Sequence, residues 1–465
     1  MKYRYRSEEE LKDSGVEWIG KIPKDWKVSK IKYIKSSKSN AFVDGPFGSN
    51  LKSEHFVDNG DVYVIESNFA TQGILNTENL KTITKAHFES IKRSEVKEGD
   101  IVLAKIGAQF GLSSILPKID KKAVISGNSL KLSVDLDKVS NEYIHYQLLT
   151  IKRNGILDTI VSTTAQPAVS LGDMNNLYIV SPKKYEQEKI ANFLDEKSDQ
   201  FNLIISKKEE LIKKLEEAKK SLISEVVTGK VKVVKTGYGY ELVKRSSDEM
   251  KDSGVEWLGE IPKDWEVKKI KHVISEALKY GANESAELDD RELPRYIRIT
   301  DFKDDGELKD ETFKSLPVEK AKDYYLNEGD ILFARSGGTV GKTFLFKNYK
   351  GKACFAGYLI KATPNHNIVM SELLYNFTKS KGYENWKNSI FMQATIQNIG
   401  ADKYKELKFP LGILSEQKII CEYIEEYDKK IKYIIKNIYG QLHRLKEAKQ
   451  SLISEAVTGK IEILD

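Results

Sequence analysis

Residues 12–26 read KDSGVEWIGKIPKDW and residues 251–265 read KDSGVEWLGEIPKDW, so thirteen of fifteen positions agree at an offset of 239. Further along, EAKKSLISEVVTGK at 217–230 returns as EAKQSLISEAVTGK at 447–460, now at an offset of 230 and with twelve of fourteen positions shared. EGDI at 98–101 recurs at 328–331, also 230 apart, so the second copy is nine residues shorter between its Trp265 and its EGDI. A repeat of this length governs the fold, because each copy must build the same local structure. The ends of the two copies are nearly identical and their middles diverge almost fully. Equal ends imply two equivalent attachment surfaces, and unlike middles imply two different targets. Duplication followed by drift, with loops changing faster than cores, is the alternative.

Each middle predicts an α+β domain. In the first copy, short apolar strands at Val62–Ile65, Ile101–Ala104 and Leu130–Val134 are separated by Asp-Gly, Gly-Pro and Ser-Gly turns. The second copy matches them at Tyr296–Ile299, Ile331–Ala334 and Tyr358–Lys361. Helices are expected near Glu142–Lys152 and Ser371–Lys381.

The character then changes. From Tyr185 to Val227 there is neither Pro nor Gly, and apolar residues recur at helical spacing: Ile190, Leu194, Phe201, Ile204, Leu211, Leu215, Ala218, Leu222 and Val226, with Lys197 and Lys208 in the two remaining seam positions. The second copy repeats the stripe at Ile420, Ile424, Tyr427, Ile431, Ile434, Ile438, Leu445, Ala448, Leu452 and Ala456. A helix of this length spans roughly 60 Å at 1.5 Å per residue. It outreaches its own domain, and its stripe requires a partner. The other copy is the obvious one, so an antiparallel helix pair is predicted, each helix stopping at Thr-Gly (Thr228-Gly229, Thr458-Gly459). Lys184–Lys230 carries ten Lys and ten Asp+Glu. Such balance suits a solvated coiled-coil exterior or a docking rim for proteins better than a phosphate-binding surface. Residues 231–250, with Gly237, Gly239 and Ser246-Ser247, read as a linker. The organisation expected is therefore 1–183, a helix at 184–230, the linker, 251–414, and a second helix at 415–465.

Composition sets wider bounds. The chain is 40% hydrophobic and 31% charged, an ordinary profile with apolar residues for more than one core. Lys and Arg number 75 against 69 Asp and Glu, a net charge of +6 that permits nucleic-acid binding and requires any such surface to come from local clustering. Cys354 and Cys421 are too few for a disulfide framework or a Cys-rich zinc site. Met1–Glu10 is charged and lacks the apolar core of a signal peptide, and no apolar run reaches membrane-spanning length. A cytoplasmic protein without membrane contact is expected.

The segment SGVEWIGKIPKDW, the divergent middle and the tail EQEKIANFLD…LISEVVTGK, answered by SEQKIICEYIEEYD…LISEAVTGK, resemble the specificity subunit of a Type I restriction-modification enzyme. DGPFGSNLK at Asp44–Lys52 and GDILFARSGGTVGK at Gly329–Lys342 also look like stretches of that family's target-recognition domains. The resemblance covers essentially the whole chain. It implies two target-recognition domains joined by a pair of long antiparallel coiled-coil helices in a pseudo-two-fold internal repeat, each domain reading one half of a bipartite, asymmetric site in double-stranded DNA. It further implies two modification (methyltransferase) subunits and ATP-dependent restriction subunits as partners. No cofactor is expected in this chain, with S-adenosylmethionine, ATP and Mg belonging to the partners. The first copy departs from Gly329–Lys342: Lys105, Gly107 and Gly111 persist, but Leu112 stands where the second copy has Lys342, so a role for Lys342 does not transfer. Independently, two unlike readers on a two-fold-like frame would meet the same face of DNA about one helical turn apart, and a rigid helix pair sets such spacing better than a flexible linker.

Catalytic chemistry is hard to find. Ser336–Thr343, SGGTVGKT, has Ser where a phosphate-binding loop begins with Gly, and reads better as a glycine-bearing hairpin. The ten prolines include no Pro-Pro, which removes the Asn/Asp-Pro-Pro motif of amino-methyltransferases. His55, His87, His145, His272, His366 and His443 show no ligand spacing. Glu307–Lys309 and Glu406–Lys408 match only a fragment of a nuclease motif.

Base readers are typically Arg, Lys, Asn, Gln, Ser and Thr on exposed elements. The candidates in the first copy are Ser49, Asn50, Lys52, Asn68, Lys105, Gln109, Thr163, Thr164 and Gln166. In the second they are Arg298, Thr300, Arg335, Thr339, Lys342, Gln393, Thr395 and Gln397. Two rivals stay open at this point: a protein-interaction scaffold without DNA selectivity, and an enzyme active as a single chain.

Overall fold

The computed structural model describes residues 2–161, 167–303, 306–391 and 397–464. Thr163, Thr164, Gln166, Gln393 and Thr395 lie outside the described residues. The chain forms two compact units, one of residues 1–208 with 440–465 and the other of residues 209–439. Each unit therefore contains one α+β domain, the first half of one long helix and the second half of the other.

The first unit holds an antiparallel four-stranded sheet in the order Ser113–Ile115, Ile101–Ala104, Ser129–Leu132, Phe42–Asp44. A five-stranded sheet, with Val62–Ile65 running parallel to Lys122–Ile125, packs with it. In the second unit, Thr343–Leu345, Ile331–Ala334, Leu359–Ala362 and Lys279–Tyr280 repeat the four-stranded order. Arg295–Ile297 runs parallel to Ala353–Phe355. The strands expected at 62–65, 101–104 and 331–334 form at those residues, and those expected near 130, 296 and 358 are displaced by one or two positions. Helices form at Asn141–Arg153 and Ser371–Phe377. The Ser336–Lys342 stretch is the hairpin connection between Ile331–Ala334 and Thr343–Leu345.

The long helices are Lys184–Val227 and Leu414–Val457. Within each unit their segments run antiparallel. In the first, Lys208 Nζ donates to Gln441 Oε1 (2.6 Å) and Lys449 Nζ to Asn202 Oδ1 (2.8 Å). In the second, Lys219 pairs with Asp428. The seam differs from the expected stripe at alternate positions. Leu194, Phe201, Leu215 and Leu222 face it, as do Ile424, Ile431, Ile438, Leu445 and Leu452, but Ile204 (44% exposed), Leu211 (45%) and Ile434 (41%) point to solvent. Ile205, Ile212 and Ile435 take those places, and Leu442 is buried in the same register. Ile190 and Ile420 are buried in the cores of their own units, in the same clusters as Leu194 and Ile424. The reason is local: Ile204-Ile205, Leu211-Ile212 and Ile434-Ile435 are adjacent apolar pairs, about 100° apart on a helix, and spacing alone does not choose between them.

The supposed linker is also structured. Val231–Thr236 and Gly239–Lys244 form a hairpin with Val233 buried, and Tyr240 packs edge-on against Tyr423. Its first-unit counterpart is assembled from the two ends of the described chain, where Tyr3–Tyr5 pairs with Ile461–Ile463.

The near-identical stretches of the repeat meet at one joint in each unit. Trp26 is 1% exposed and donates through Nε1 to Glu186 Oε2 (3.0 Å), while Arg6 donates to the other oxygen (3.2 Å). In the second unit, Trp265 and Arg245 hold Glu416 in the same way, at 2.8 and 2.6 Å. Both glutamates sit in the first turn of a long helix, where a carboxylate is favoured by the helix dipole. The next residues, Gln187 and Gln417, are buried and bond to backbone groups of the adjoining domain, at Ser140 and Pro182 and at Met370, Ile368 and Gly412. Gly459 closes the second long helix against Pro23 and Trp26, and Gly229 closes the first against Pro262 and Trp265. Among the described residues, no helix is long and apolar enough to cross a membrane.

Candidate nucleic-acid interface

In the first unit, the strand Ile101–Ala104 leads into a hairpin loop, Lys105–Gly111. Lys105 N–H donates to the Asn128 carbonyl (2.8 Å), and its own carbonyl accepts from Val169 N–H (3.0 Å). Three segments distant in sequence are thereby joined. The side chain lies over the Phe47 ring at 4.5 Å and reaches Asp44 Oδ2 at 3.3 Å. Asp44 is 6% exposed and also accepts from Arg93 Nη2 (2.9 Å), so the cluster keeps one net positive charge. Gln109 is exposed at the tip of the loop.

Ser49, Asn50 and Lys52 are exposed on the neighbouring loop, which two imidazoles fasten. His55 Nδ1 accepts from Lys52 N–H (3.0 Å), His87 Nε2 donates to the Asn50 carbonyl (2.9 Å), and the two rings stack at 4.0 Å. Asn68 is exposed and lines, with Pro46, Gly48, Ser126 and Asn128, a depression of about 450 Å³. Gly45 makes the close approach possible, since a Cβ there would stand 1.8 Å from the Ser126 carbonyl oxygen. Gly281 repeats this, with Phe355 O at 2.3 Å.

The second unit keeps the frame and changes the chemistry. Arg335 replaces Lys105, its N–H donating to the Tyr358 carbonyl (3.0 Å) and its carbonyl accepting from Ile399 N–H (2.8 Å). Tyr280 stands where the first unit has Asp44, and the guanidinium lies over its ring at 4.9 Å. An ion pair has become a cation–π contact. Thr339 and Gln397 are exposed beside it, joined through the Ser336–Asn398 bridge, and Lys342 is half-buried. Arg298 and Thr300 are placed differently. Arg298 clasps the fully buried Asp301 (2.9 Å) and the Thr312 carbonyl (2.6 Å), and Thr300 bonds the same carboxylate (3.3 Å). Their polar atoms serve the fold.

Phe47, Asn128, Tyr280 and Tyr358 belong to these sites and escaped the sequence reading. Asn128 and Tyr358 carried a usable signal: each follows a glycine, and they stand 230 residues apart, the offset shared by the EGDI segments. The aromatics fall outside the polar residue types expected of base readers, yet Phe47 is 59% and Tyr358 62% exposed.

A family model, the Type I restriction modification DNA specificity domain, matches residues 23–214 and again 262–444. The chain belongs to this family. It is 24% identical over 469 residues to the Type I restriction enzyme MjaVIII specificity subunit of Methanocaldococcus jannaschii, covering 95% of this chain and 94% of that one. It is 30% identical over 213 residues to the putative MjaX specificity subunit of the same organism, covering 43% of this chain and 47% of that one. A solved chain from a study of complex assembly and conformational transition in the type I R-M system superposes with a TM-score of 0.66 at 14% identity, over 94% of this chain and 99% of that one. The duplicated architecture is thus that of a Type I specificity subunit, and each match to the family model contains one of the two sites described above.

Proposed function

We propose that this specificity subunit reads a bipartite, asymmetric site in double-stranded DNA, one half per unit, and performs no catalysis itself. The observation that carries this is the unlike chemistry of equivalent positions on one frame: Asp44, Lys105 and Asn128 in one unit, Tyr280, Arg335 and Tyr358 in the other. Side chains that differ while their backbone supports repeat are what two different half-sites demand. The long helices then serve as the docking surface for two modification subunits. Leu203 and Ile204 in the first unit, and Tyr433, Ile434 and Tyr439 in the second, stand exposed on them. S-adenosylmethionine, ATP and Mg act in the modification and restriction partners.

The test is co-expression with the modification subunit in a host lacking DNA methylation, followed by methylome sequencing. One gapped, asymmetric motif with a methylated adenine in each half, dependent on this chain, is the expected result. A stable complex that leaves DNA unmodified would instead favour a protein-interaction scaffold.

A further inference from the structure

The cations near the two sites differ in what they are already bound to. Lys105 is paired with Asp44, and Arg298 with Asp301. Arg335 is half-buried, its Nε is enclosed without a hydrogen-bond partner, and no carboxylate among the described residues forms an ion pair with it. Its position is nonetheless fixed. The backbone is bonded on both sides, to Tyr358 and Ile399, and the stacking platform is itself held, because the Tyr280 hydroxyl accepts from Ala401 N–H (3.0 Å). A planar donor fork has been immobilised, partly stripped of water, and left without an acceptor among the described residues.

We infer that Arg335, oriented by Tyr280, reads a guanine in the half-site taken by the second unit, donating to its N7 and O6. This rests on the DNA-recognition reading above. Guanine is the base whose major-groove edge offers two acceptors side by side, matching the guanidinium fork. A phosphate also offers two oxygens to such a fork, but a phosphate contact weakens binding alike on every sequence, whereas a base contact acts at one pair. With Nε enclosed, the two terminal nitrogens are the donors placed to meet the base. Tyr280 is a positioning residue: it holds the plane without touching the base.

The experiment is methylome sequencing of the full chain assembled with its modification subunits. The wild-type motif should contain a G·C pair in the half that Arg335→Ala alters. In Arg335→Ala, discrimination at that pair should fall by about 5- to 150-fold, with the other half unchanged. Tyr280→Ala should relax the same position and no other, and Tyr280→Phe should keep most of the discrimination. Should Arg335→Ala fail to assemble, Arg335→Lys, which keeps the charge and loses the fork, is scored in the same way. A motif without a G·C pair in that half, an unchanged motif in Arg335→Ala, or an equal fall at every site (the mark of a phosphate contact) overturns the inference and leaves the two-part reading standing. Absence of any motif in the wild type overturns that reading instead.

Discussion

Replacing Gly229 with alanine tests the joint on which each unit is hung. Gly229 has φ +72°, and an added Cβ would stand 2.4 Å from Pro262 Cγ, 2.7 Å from its Cδ and 3.2 Å from the Trp265 ring. A left-handed backbone costs an L-residue about 1–2 kcal/mol. Forcing a methyl into a packed contact costs about 1–3 kcal/mol, and the stiffer unfolded chain returns about 0.4–1 kcal/mol. The net expectation is a loss of about 2–4 kcal/mol. Gly459→Ala should do the same to the first unit, where φ is +73° and the Cβ would meet Pro23 at 2.5 Å and Trp26 at 2.8 Å. The two substitutions share no partner, so their effects should add. Gly237→Ala is the control, with nothing within 4 Å of its Cβ and an expected change within about 0.5 kcal/mol. Urea unfolding of the purified chain, followed by circular dichroism and tryptophan fluorescence, measures all three. A wild-type midpoint for Gly229→Ala, or a Gly237→Ala loss of equal size, would refute the joint as the source of stability.

The helix seam predicts a contrast between neighbours: Ile212→Ala should cost about 2–4 kcal/mol and Leu211→Ala less than about 1 kcal/mol, and equal losses in urea titrations would return the seam to the other register. Burial, reinforced by the Arg153 charge, lowers the His145 imidazole to about 4, against roughly 6.5 in an unfolded chain. Between those values the unfolded chain takes up a proton that the folded one refuses, so stability should fall as pH drops through the window and level off below it. His145→Gln keeps an acceptor for the Ser113 hydroxyl and should flatten the profile; an unaltered acid limb would sink the assignment. Because Tyr3–Tyr5 pairs with Ile461–Ile463 as the 231–244 hairpin pairs with itself, a chain opened at the fully exposed Tyr238 and joined across residues 464 and 2 should fold and keep its methylation motif. Loss of folding in that permuted chain would show that the two hairpins are not equivalent.

Legibility in the sequence followed the nature of the signal. The repeat, the strands at 62, 101 and 331 and the length of both helices rest on periodicity and turn residues, which are local; those strands form at the expected residues, and the helix ends differ by a few positions. The seam register depended on choosing between Ile204 and Ile205, where both residues are apolar and only tertiary contact decides. The 231–244 hairpin was read as a linker because Gly237 and Gly239 outweighed the alternation of VKVV and YELV. At the sites, chemistry was legible by residue type and engagement was not. Arg298 and Arg335 look alike in sequence, and only the fold shows that one clasps the buried Asp301 while the other lies on Tyr280.

The same contrast accounts for the pattern with which the sequence began. The identical ends are identical because they must fit one another: Trp, Arg, Glu and Gly arrive at each joint from separate stretches, and a change in one would strand a buried indole N–H or a half-buried carboxylate. The recognition loops answer to a weaker constraint. The frame asks them for a glycine at 45 or 281 and for backbone bonds at 105 or 335, and leaves the side chains to whatever they face outside. Asp44 can therefore become Tyr280, and Lys105 become Arg335, without disturbing the strands beneath. Under the proposed reading, divergence along this chain marks which atoms face the protein and which face a ligand. By that measure the loops that follow Gly45 and Gly281, which share almost no side chains, face two different ones.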